Sequence, residues 1–539
     1  MSKTRVWFYC LLTGTAYSLS VCNLVEGFPW GLFAWVALLP LHRALIGVTP
    51  GRAFLRGWLA GFLAFIGTMY WVVTAMHLYG KVPLAVSIVL MLVLAAYLGL
   101  YAGLYAWGFI RLEQRWAAAA WIAAPCLWVS LEYVRTHAFS GLPWGLLGYS
   151  QFQWLPLIQI ANITGVYGVS FLIVLVNVSL FLLFRWVLTD NPQKLLRPWI
   201  PLASAMAAIL GVWLYGLNQL YVNQLYVPPS DRLTIGIVQA NIDQAHKWDE
   251  VYRVETLERY RRLTETVSSK SDLMLWPEAA TPFMFEQEPD YRSLVTGMTK
   301  DAGVPLVFGS PALRRERDGT PYLLNSAYLL DPSGEIAGRY DKQHLVPFGE
   351  YIPLKRILFF LDKLVVGIGD FHPGPGPTLL SFALGPDRRQ TRFGVAICFE
   401  VIFPDLVRRL ANEGADFLVT ITNDAWFGNT VAPHQHFGMV VFRAVENRMA
   451  FARAANTGVS GLIDTTGRIL TATPVFTEQA VIGSIPLSAP STLYTRFGDV
   501  FAWACVIMAL FLLSFARCFY GPPAADTRFS TRRKGARHA

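Results

Sequence analysis

Residues 393–406 read FGVAICFEVIFPDL. The first six form an apolar run of the length of one buried strand, ending at Cys398. Phe399 and Glu400 follow, and Pro404 marks the first turn of a helix. A strand that ends in such a turn exposes its last side chain. The next backbone N–H, that of Phe399, can then point at a developing oxyanion. Cys398 also stands apart from the other cysteines. Cys10, Cys22, Cys126, Cys505 and Cys518 lie in or beside long apolar stretches, and Cys398 alone lies in the polar segment 231–490. A lone cysteine at a strand end is either a small apolar residue or a reactive thiol. Reactivity needs a base and a positive charge nearby.

Two other strand ends supply those groups. LMLWPEAATP (273–282) puts Glu278 behind the turn-forming Pro277, just past an apolar run. YDKQHLVPFGEY (340–351) carries Lys342, His344 and Glu350. Taken singly, such a glutamate or lysine reads as a solvated surface residue. Around them, 233–240, 273–276, 305–310, 326–330, 393–398 and 416–422 read as strands, and 249–268, 404–413 and 435–453 as helices. Repeated strand–helix order over some 260 residues predicts an α/β layered domain with a full core.

The rest of the chain has another character. Over 539 residues the sequence is 54% hydrophobic and 15% charged, against about a quarter charged in soluble proteins. That balance indicates a membrane protein. Segment 231–490 holds 26 Lys and Arg against 30 Asp and Glu, a net of −4, leaving +13 elsewhere of the chain's +9. The basic excess therefore belongs to loops between apolar stretches and excludes a nucleic-acid footprint. Eight transmembrane helices are expected, at 6–25, 29–47, 54–76, 83–110, 116–135, 160–187, 198–219 and 497–517, each of the ~20 residues that cross a bilayer. The first is not expected to be a cleaved signal peptide, since more spans follow at once. Arg43, Arg52, Arg56, Arg111, Arg115, Arg185, Lys194, Arg197 and the basic tail from Arg517 fall on one side, with little beyond Lys81 and Arg135 on the other. Basic loops stay cytoplasmic, so both termini are expected inside and 220–496 outside. The expected division is 1–220 (seven helices), 221–490 (catalytic domain) and 491–539 (last helix and cytoplasmic tail).

The strings WPE, DKxHLVPFGEY and CFE, in that order, resemble the carbon–nitrogen hydrolase (nitrilase) superfamily, as do TNDAWFG (422–428) and the helix bearing Arg443, Glu446 and Arg448. The resemblance implies an α-β-β-α sandwich with a triad of Glu278 as proton carrier, Lys342 as oxyanion binder and Cys398 as nucleophile. It also implies importance for Glu350 and Glu400, either in activity or in holding Lys342. A nitrilase-like domain set before the last of eight spans, with PWGLLGYSQ (143–151) in an outer loop, resembles the bacterial apolipoprotein N-acyltransferase family. That implies a multi-pass inner-membrane enzyme with a periplasmic catalytic domain. The acyl donor would be a phospholipid, carried as a thioester on Cys398. The acceptor would be the α-amine of a diacylglyceryl-cysteine apolipoprotein.

Several residues follow from this resemblance. Trp248, in ANIDQAHKWD (240–249), matches a functional tryptophan on a loop, with a core aromatic as the bland alternative. Trp426 is expected to pack beneath the site. Phe399 stands where relatives tend to have tyrosine, which removes a phenol hydroxyl but leaves the backbone N–H. The apolar stretch IPLKRILFFLDKLVVGIGDF (352–371) is expected to be an arm dipping into the bilayer, with Phe359 and Phe360 in contact with lipid. No cofactor or metal is expected: there is no zinc-like Cys/His spacing or phosphate loop, and His344, His434 and His436 need no metal. A monomer is expected. Two rival functions remain. One is a membrane-anchored amidase acting on a small amide. The other is a transporter or sensor whose outer domain only binds ligand, which the shortage of acidic residues in the spans disfavours; the exception, Glu132, has Arg135 as a possible partner.

The charge pattern predicts that a cysteine introduced at Thr320 reacts with an impermeant maleimide from outside the inner membrane and that one at Arg537 does not. Labelling of the Arg537 position from outside would invert the topology.

Overall fold

A computed structural model describes residues 2–22, 28–116, 119–188, 198–226, 231–352, 371–385, 389–487 and 491–515. Phe359, Phe360 and nearly all of the expected apolar arm lie outside the described residues.

Two six-stranded sheets form the polar segment. The first contains β1 (Arg232–Gln239), β2 (Leu273–Leu275), β3 (Leu306–Arg315), β4 (Pro321–Leu330), β5 (Ile336–Asp341) and β12 (Gln479–Pro486), in the order β12-β1-β2-β3-β4-β5. The second contains β6 (Leu379–Leu384), β7 (Arg389–Ile397), β8 (Phe417–Thr422), β9 (Phe451–Ala455), β10 (Gly461–Ile463) and β11 (Ile469–Ala472), in the order β11-β10-β9-β8-β7-β6. β1, β2 and β3 run parallel, as do β7, β8 and β9, and antiparallel strands flank both trios.

The period-2 alternation of strands explains the layering. Leu233, Ile235 and Ile237 of β1 and Leu273 and Leu275 of β2 point inward. They meet Phe393, Val395 and Ile397 of β7 and Phe417, Val419 and Ile421 of β8 in one core between the sheets. The alternate residues Val238 and Met274, with Trp276 beyond, face outward to a second core with Leu257, Tyr260 and Val295. Those last three come from the helices Arg253–Val267 and Pro289–Ala302. Burial on both faces makes the central strands nearly continuous apolar runs. The expected sandwich is therefore observed. The expected helix 435–453 ends early: the helix Ala432–Asn447 stops where Arg448 takes a left-handed φ of 53°, and the chain then extends into β9.

The helical region departs further from expectation. Its long helices are α1 (Lys3–Cys22), α2 (Pro50–Met69), α3 (Leu84–Arg115), α4 (Ala120–His137), α5 (Val166–Val187) and α6 (Trp199–Tyr226), with α7 (Val500–Phe515) after the sandwich. Among the described residues, three helices are long and apolar enough to cross a membrane: Leu84–Arg115, Val166–Val187 and Trp199–Asn223. A fourth span counts if α2 and the segment Trp71–Tyr79, bent by 49° from it, are taken together. The expected span 29–47 is not one helix. It is a 3₁₀ turn at Trp30–Trp35 and a short helix at Leu39–Ala44, where Pro40 occupies the start. Irregular backbone among apolar helices must be satisfied by protein. Asn177 of α5 does this: its Oδ1 accepts from the Leu38 N–H at 2.9 Å and its Nδ2 donates to the Ala34 carbonyl at 2.9 Å.

PWGLLGYSQ is likewise irregular backbone held by buried polar groups. Glu132 and Arg135 do not form an ion pair with each other. Glu132 accepts from the Leu147 N–H (2.8 Å), and Arg135 donates to the Trp144 carbonyl (3.1 Å). The loop in turn meets the sandwich. A single apolar core runs from Cys10 and Tyr105 in the helical region through Ile402, Val440 and Val445 of the catalytic domain's outer helix layer.

Replacing Asn177 by leucine would leave the buried Leu38 N–H without a partner, at about 1–3 kcal/mol, and leave the Ala34 carbonyl only backbone donors such as the Ala37 N–H at 3.4 Å. Thermal unfolding in detergent should show a folded but clearly less stable protein. Unchanged stability would mean that water or a rearranged turn takes over these bonds.

Candidate active site

The four carried-over polar residues of the site follow strand ends, as their sequence strings suggested. Glu278 lies three residues beyond β2, Lys342 directly after β5, Glu350 in the turn that follows, and Cys398 directly after β7. Three of these turns are strained. Cys398 has φ 53°, Ala279, next to Glu278, has φ 48°, and Phe348, two residues before Glu350, has φ 63°. Left-handed backbone at non-glycine residues costs on the order of 1–3 kcal/mol and persists where surrounding structure enforces it. Gly309 of β3 is part of that enforcement. It donates to the Pro277 carbonyl at 3.1 Å, and a Cβ on it would stand 2.5 Å from the Ala279 nitrogen and 2.6 Å from the Glu278 Cα.

Lys342 is the centre of the cluster. Its ammonium is 1% exposed and lies 2.9 Å from Glu350 Oε1 and 3.5 Å from Glu278 Oε1. Burial alone would lower its pKa, but Glu350 and Glu278 outweigh that and raise it, so the charge is retained. Asn325 of β4 joins the two carboxylates: its Nδ2 donates to Glu278 Oε1 and to Glu350 Oε1, each at 2.8 Å. Glu278 Oε2 accepts from the Asn423 N–H at 2.8 Å, and Glu350 Oε2 from the Val346 N–H at 2.8 Å. Both carboxylates are thus fixed by neutral donors as well as by the lysine.

Cys398 is half-buried. Burial and the nearby Glu278 push its thiol well above the ordinary range, with Lys342 acting in the opposite direction. The resting group is a protonated thiol that needs a base at the moment of attack. Cys398 opens the short helical turn Cys398–Ile402, whose first N–H groups have no carbonyl partner within the turn.

Glu400 does not touch the Lys342 side chain. Its carboxylate accepts from the backbone N–H groups of Gln343 (2.6 Å), His344 (3.1 Å) and Ile397 (2.7 Å), and from the Tyr340 hydroxyl at 3.0 Å. It ties the Lys342 loop of one sheet to the cysteine strand of the other. Burial pushes its pKa up to about 7. Behind the cysteine turn, Asp424 pairs with Arg453 at 2.7 Å, and His436 Nε2 lies 3.2 Å from the Cys398 carbonyl. Burial and Arg453 lower the His436 pKa, against Asp424, whose carboxylate lies 3.1 Å from Nδ1.

The aromatic expectations fare unevenly. Phe399 stacks loosely among His344 and Phe403 (centroids 5.9 and 5.1 Å). Trp248 is 43% exposed, which excludes the core alternative. Trp426 is not beneath the site: it is half-buried, and its ring meets Tyr79 of the helical region edge-on at 5.9 Å. Phe427 is the inward ring, against Trp71 (4.8 Å) and Trp144 (5.7 Å). Asn325, Asn423, Tyr340 and Lys247 were missed by reading the sequence. Asn325 and Tyr340 sit inside or at the end of strands with no local signal. Asn423 and Lys247 stood in TNDAWFG and ANIDQAHKWD, where only their neighbours drew notice.

Comparison with known proteins bears on this geometry. Residues 13–179 match the apolipoprotein N-acyltransferase N-terminal domain family, and residues 234–492 match the carbon–nitrogen hydrolase family. A protein of Geobacter metallireducens named apolipoprotein N-acyltransferase is 43% identical over 90% of this chain and 90% of its own. The chain belongs to the apolipoprotein N-acyltransferase family. A member from Azotobacter vinelandii is 34% identical, also over 90% of each chain. Among solved structures, the E41L mutant of the amidase from Nesterenkonia sp. AN1, with an acetamide moiety on its active-site cysteine, is 21% identical over 51% of this chain and 97% of its own, with a TM-score of 0.35. In this family member, then, a carbon–nitrogen hydrolase sandwich carries the Glu278–Lys342–Glu350 cluster against an acyltransferase-type helical region.

Gly309→Ala tests how tightly the Glu278 turn is placed. Both clashing atoms are backbone, so the turn must shift, and misplacing a reacting group by about 1 Å costs on the order of 100-fold in rate. We expect a folded protein with turnover reduced by about that factor. Wild-type turnover would show that the turn has slack.

Proposed function

We propose that the protein transfers an acyl chain from a membrane phospholipid to the free α-amine of a diacylglyceryl-cysteine apolipoprotein, through a thioester on Cys398. The observation that carries this reading is the placement of the site. The Asp424–Phe427 turn lies against Trp71, Tyr79 and Trp144 of the helical region, and the cysteine turn is tied to that region through Arg443, which donates to the Ile402 carbonyl and the Tyr149 hydroxyl. A nucleophile for a lipid ester belongs at such a boundary between apolar helices and a polar domain.

In the first half-reaction, Glu278 takes the Cys398 proton as sulfur attacks the ester carbonyl. Lys342 and the Phe399 N–H stabilise the oxyanion. The tetrahedral intermediate collapses, Glu278 returns the proton to the departing lysophospholipid alkoxide, and the thioester remains. In the second half-reaction the acceptor amine, with a pKa near ~8 when free, loses a proton to Glu278 and attacks the thioester. The products are the amide and the restored thiol. Glu350 keeps Lys342 aimed, and Glu400 holds the loop that carries it. Trp248, exposed beside the site loop, is read as a substrate contact, and Phe359 and Phe360 as lipid contacts of the arm.

We further read the helical region as eight passes through the bacterial inner membrane, the one at 29–47 broken rather than a single helix, with the sandwich periplasmic, residues 221–490 as the catalytic unit and 491–539 as the last span and tail. The amidase alternative uses the same triad, but the protein's family and the apolar wall beside the site favour a lipid donor. A monomer contains the complete cluster.

Purified protein should acylate a diacylglyceryl-cysteine peptide only when phospholipid is present. Cys398→Ala should abolish this with insertion and folding intact. Glu278→Gln should stop thioester formation. Lys342→Met should slow it by the loss of an oxyanion donor, about 3–4 kcal/mol. Transfer by folded Cys398→Ala, or hydrolysis of small amides with no transfer, would refute the reading.

A further inference from the structure

Lys247 is a buried lysine that the triad does not explain. It is 2% exposed, in the loop between β1 and the helix Arg253–Val267. Its ammonium donates to the Glu278 backbone carbonyl at 3.2 Å, its one hydrogen bond among the described residues. An ammonium has three N–H donors, and a neutral carbonyl does not offset the cost of burying its charge. The charges that act on it are Glu278 and Cys398. Those on its own loop are Asp243 and Asp249, whose carboxylates bond to the backbone of Ala245 and Val251 instead, and Glu250, which pairs with Arg253 at 3.4 Å.

The site needs such a charge. Around Lys342 stand two carboxylates, Glu278 and Glu350, against one ammonium. Nearby, Asp424 is balanced by Arg453. The cluster therefore carries an uncompensated negative charge before any reaction. Moving the thiol proton to Glu278 and forming an oxyanion leaves that total unchanged, so the deficit persists through the step. Lys247 closes it. It also holds one side of the Glu278 turn, while Asn423, bonded to Gln244 of the same loop at 2.7 Å, holds the carboxylate from the other.

We propose that Lys247 is a positioning residue of this site: its ammonium fixes the Glu278 turn and offsets the second carboxylate, keeping positive charge within reach of the Cys398 thiol. The proposal rests on Cys398 being the nucleophile, as read above. Burial lowers the Lys247 pKa to about 8, although Glu278 and Cys398 act to raise it. Its charge is thus present below that pH and lost above it.

The test is the pH dependence of Cys398 alkylation by iodoacetamide, mapped by peptide mass, in the full-length detergent-purified protein. The groups acting on the thiol are Glu278, Lys342, Asp424 and Lys247, and only Lys247 is changed. Removing a nearby positive charge leaves less thiolate. Lys247→Met should therefore react about tenfold more slowly than wild type near pH ~6.5, the effect of one unit in the thiol pKa. The gap should close by about pH 9.5, where the wild-type lysine is itself neutral. Lys247→Arg, charged throughout, should show no such convergence. Acyl-enzyme formation from phospholipid should fall in Lys247→Met and recover in part in Lys247→Arg. If Lys247→Met does not fold, Lys247→Gln carries the same test, since it keeps a donor for the Glu278 carbonyl. A folded neutral variant whose alkylation profile parallels wild type at every pH overturns the proposal. Alkylation needs no substrate. A converging profile in a protein that phospholipid never acylates would therefore sink the acyltransfer reading and leave this one standing.

Discussion

The site depends on a buried ammonium, that of Lys342, held between two carboxylates drawn from different strand ends. Taking these charges out of water costs several kcal/mol per ion, and removing one partner of such a group costs about 3–5 kcal/mol. The arrangement persists because every oxygen of the two carboxylates has a hydrogen-bond donor. Asn325 joins the carboxylates, and backbone N–H groups of Asn423 and Val346 cap their free oxygens. The result is a carboxylate and an ammonium whose positions are fixed by the protein alone, the preorganisation that the proposed stabilisation of an oxyanion requires.

From that cluster the constraints run outward in two directions. Glu350 anchors the stretch that follows it: its carbonyl accepts from the Phe371 N–H at 3.0 Å, so the two ends of segment 352–371 are tied together beside Lys342. Glu400 fastens the Lys342 loop to the cysteine strand, making the relation between the two sheets part of the active-site geometry. On the other side of the cysteine turn, Arg443 donates to the Ile402 carbonyl and to the Tyr149 hydroxyl. Glu446, bonded to Arg443 at 2.9 Å, accepts from the Val166 N–H at 3.0 Å. The helical region is thereby fastened to the turn that carries Cys398, by buried polar bonds within a shared apolar core.

Much of this was legible in the sequence, and the limits are physical. Strand ends announce themselves through apolar runs that stop at a turn residue, so Glu278 and Cys398 could be placed at strand ends before any coordinates, whereas Lys342 stood out only by the resemblance of the string around it. An α/β layering followed from strand–helix alternation and the sandwich from the family resemblance; the edge strands β5, β6, β11 and β12 and the short β10 left weak patterns, and the start of β9 was read as the end of a helix. The span at 29–47 misled because composition reports apolarity, not continuity. Pro40 and a distant asparagine, Asn177, decide that this stretch is irregular. Asn325 and Lys247 were invisible for a related reason: each acquires its role only from partners far off in the chain. Phe359 and Phe360 lie outside the described residues.

The account stands on Cys398 carrying the acyl group between two substrates. The most direct measurement is intact-mass spectrometry of the purified protein after incubation with a phospholipid of one defined acyl chain and no acceptor. The account predicts a mass increase of that one acyl group, mapped to Cys398, labile to hydroxylamine, and discharged when a diacylglyceryl-cysteine peptide is added. Acceptor acylation in a protein that never shows the adduct would contradict it, because transfer would then pass directly from lipid to amine.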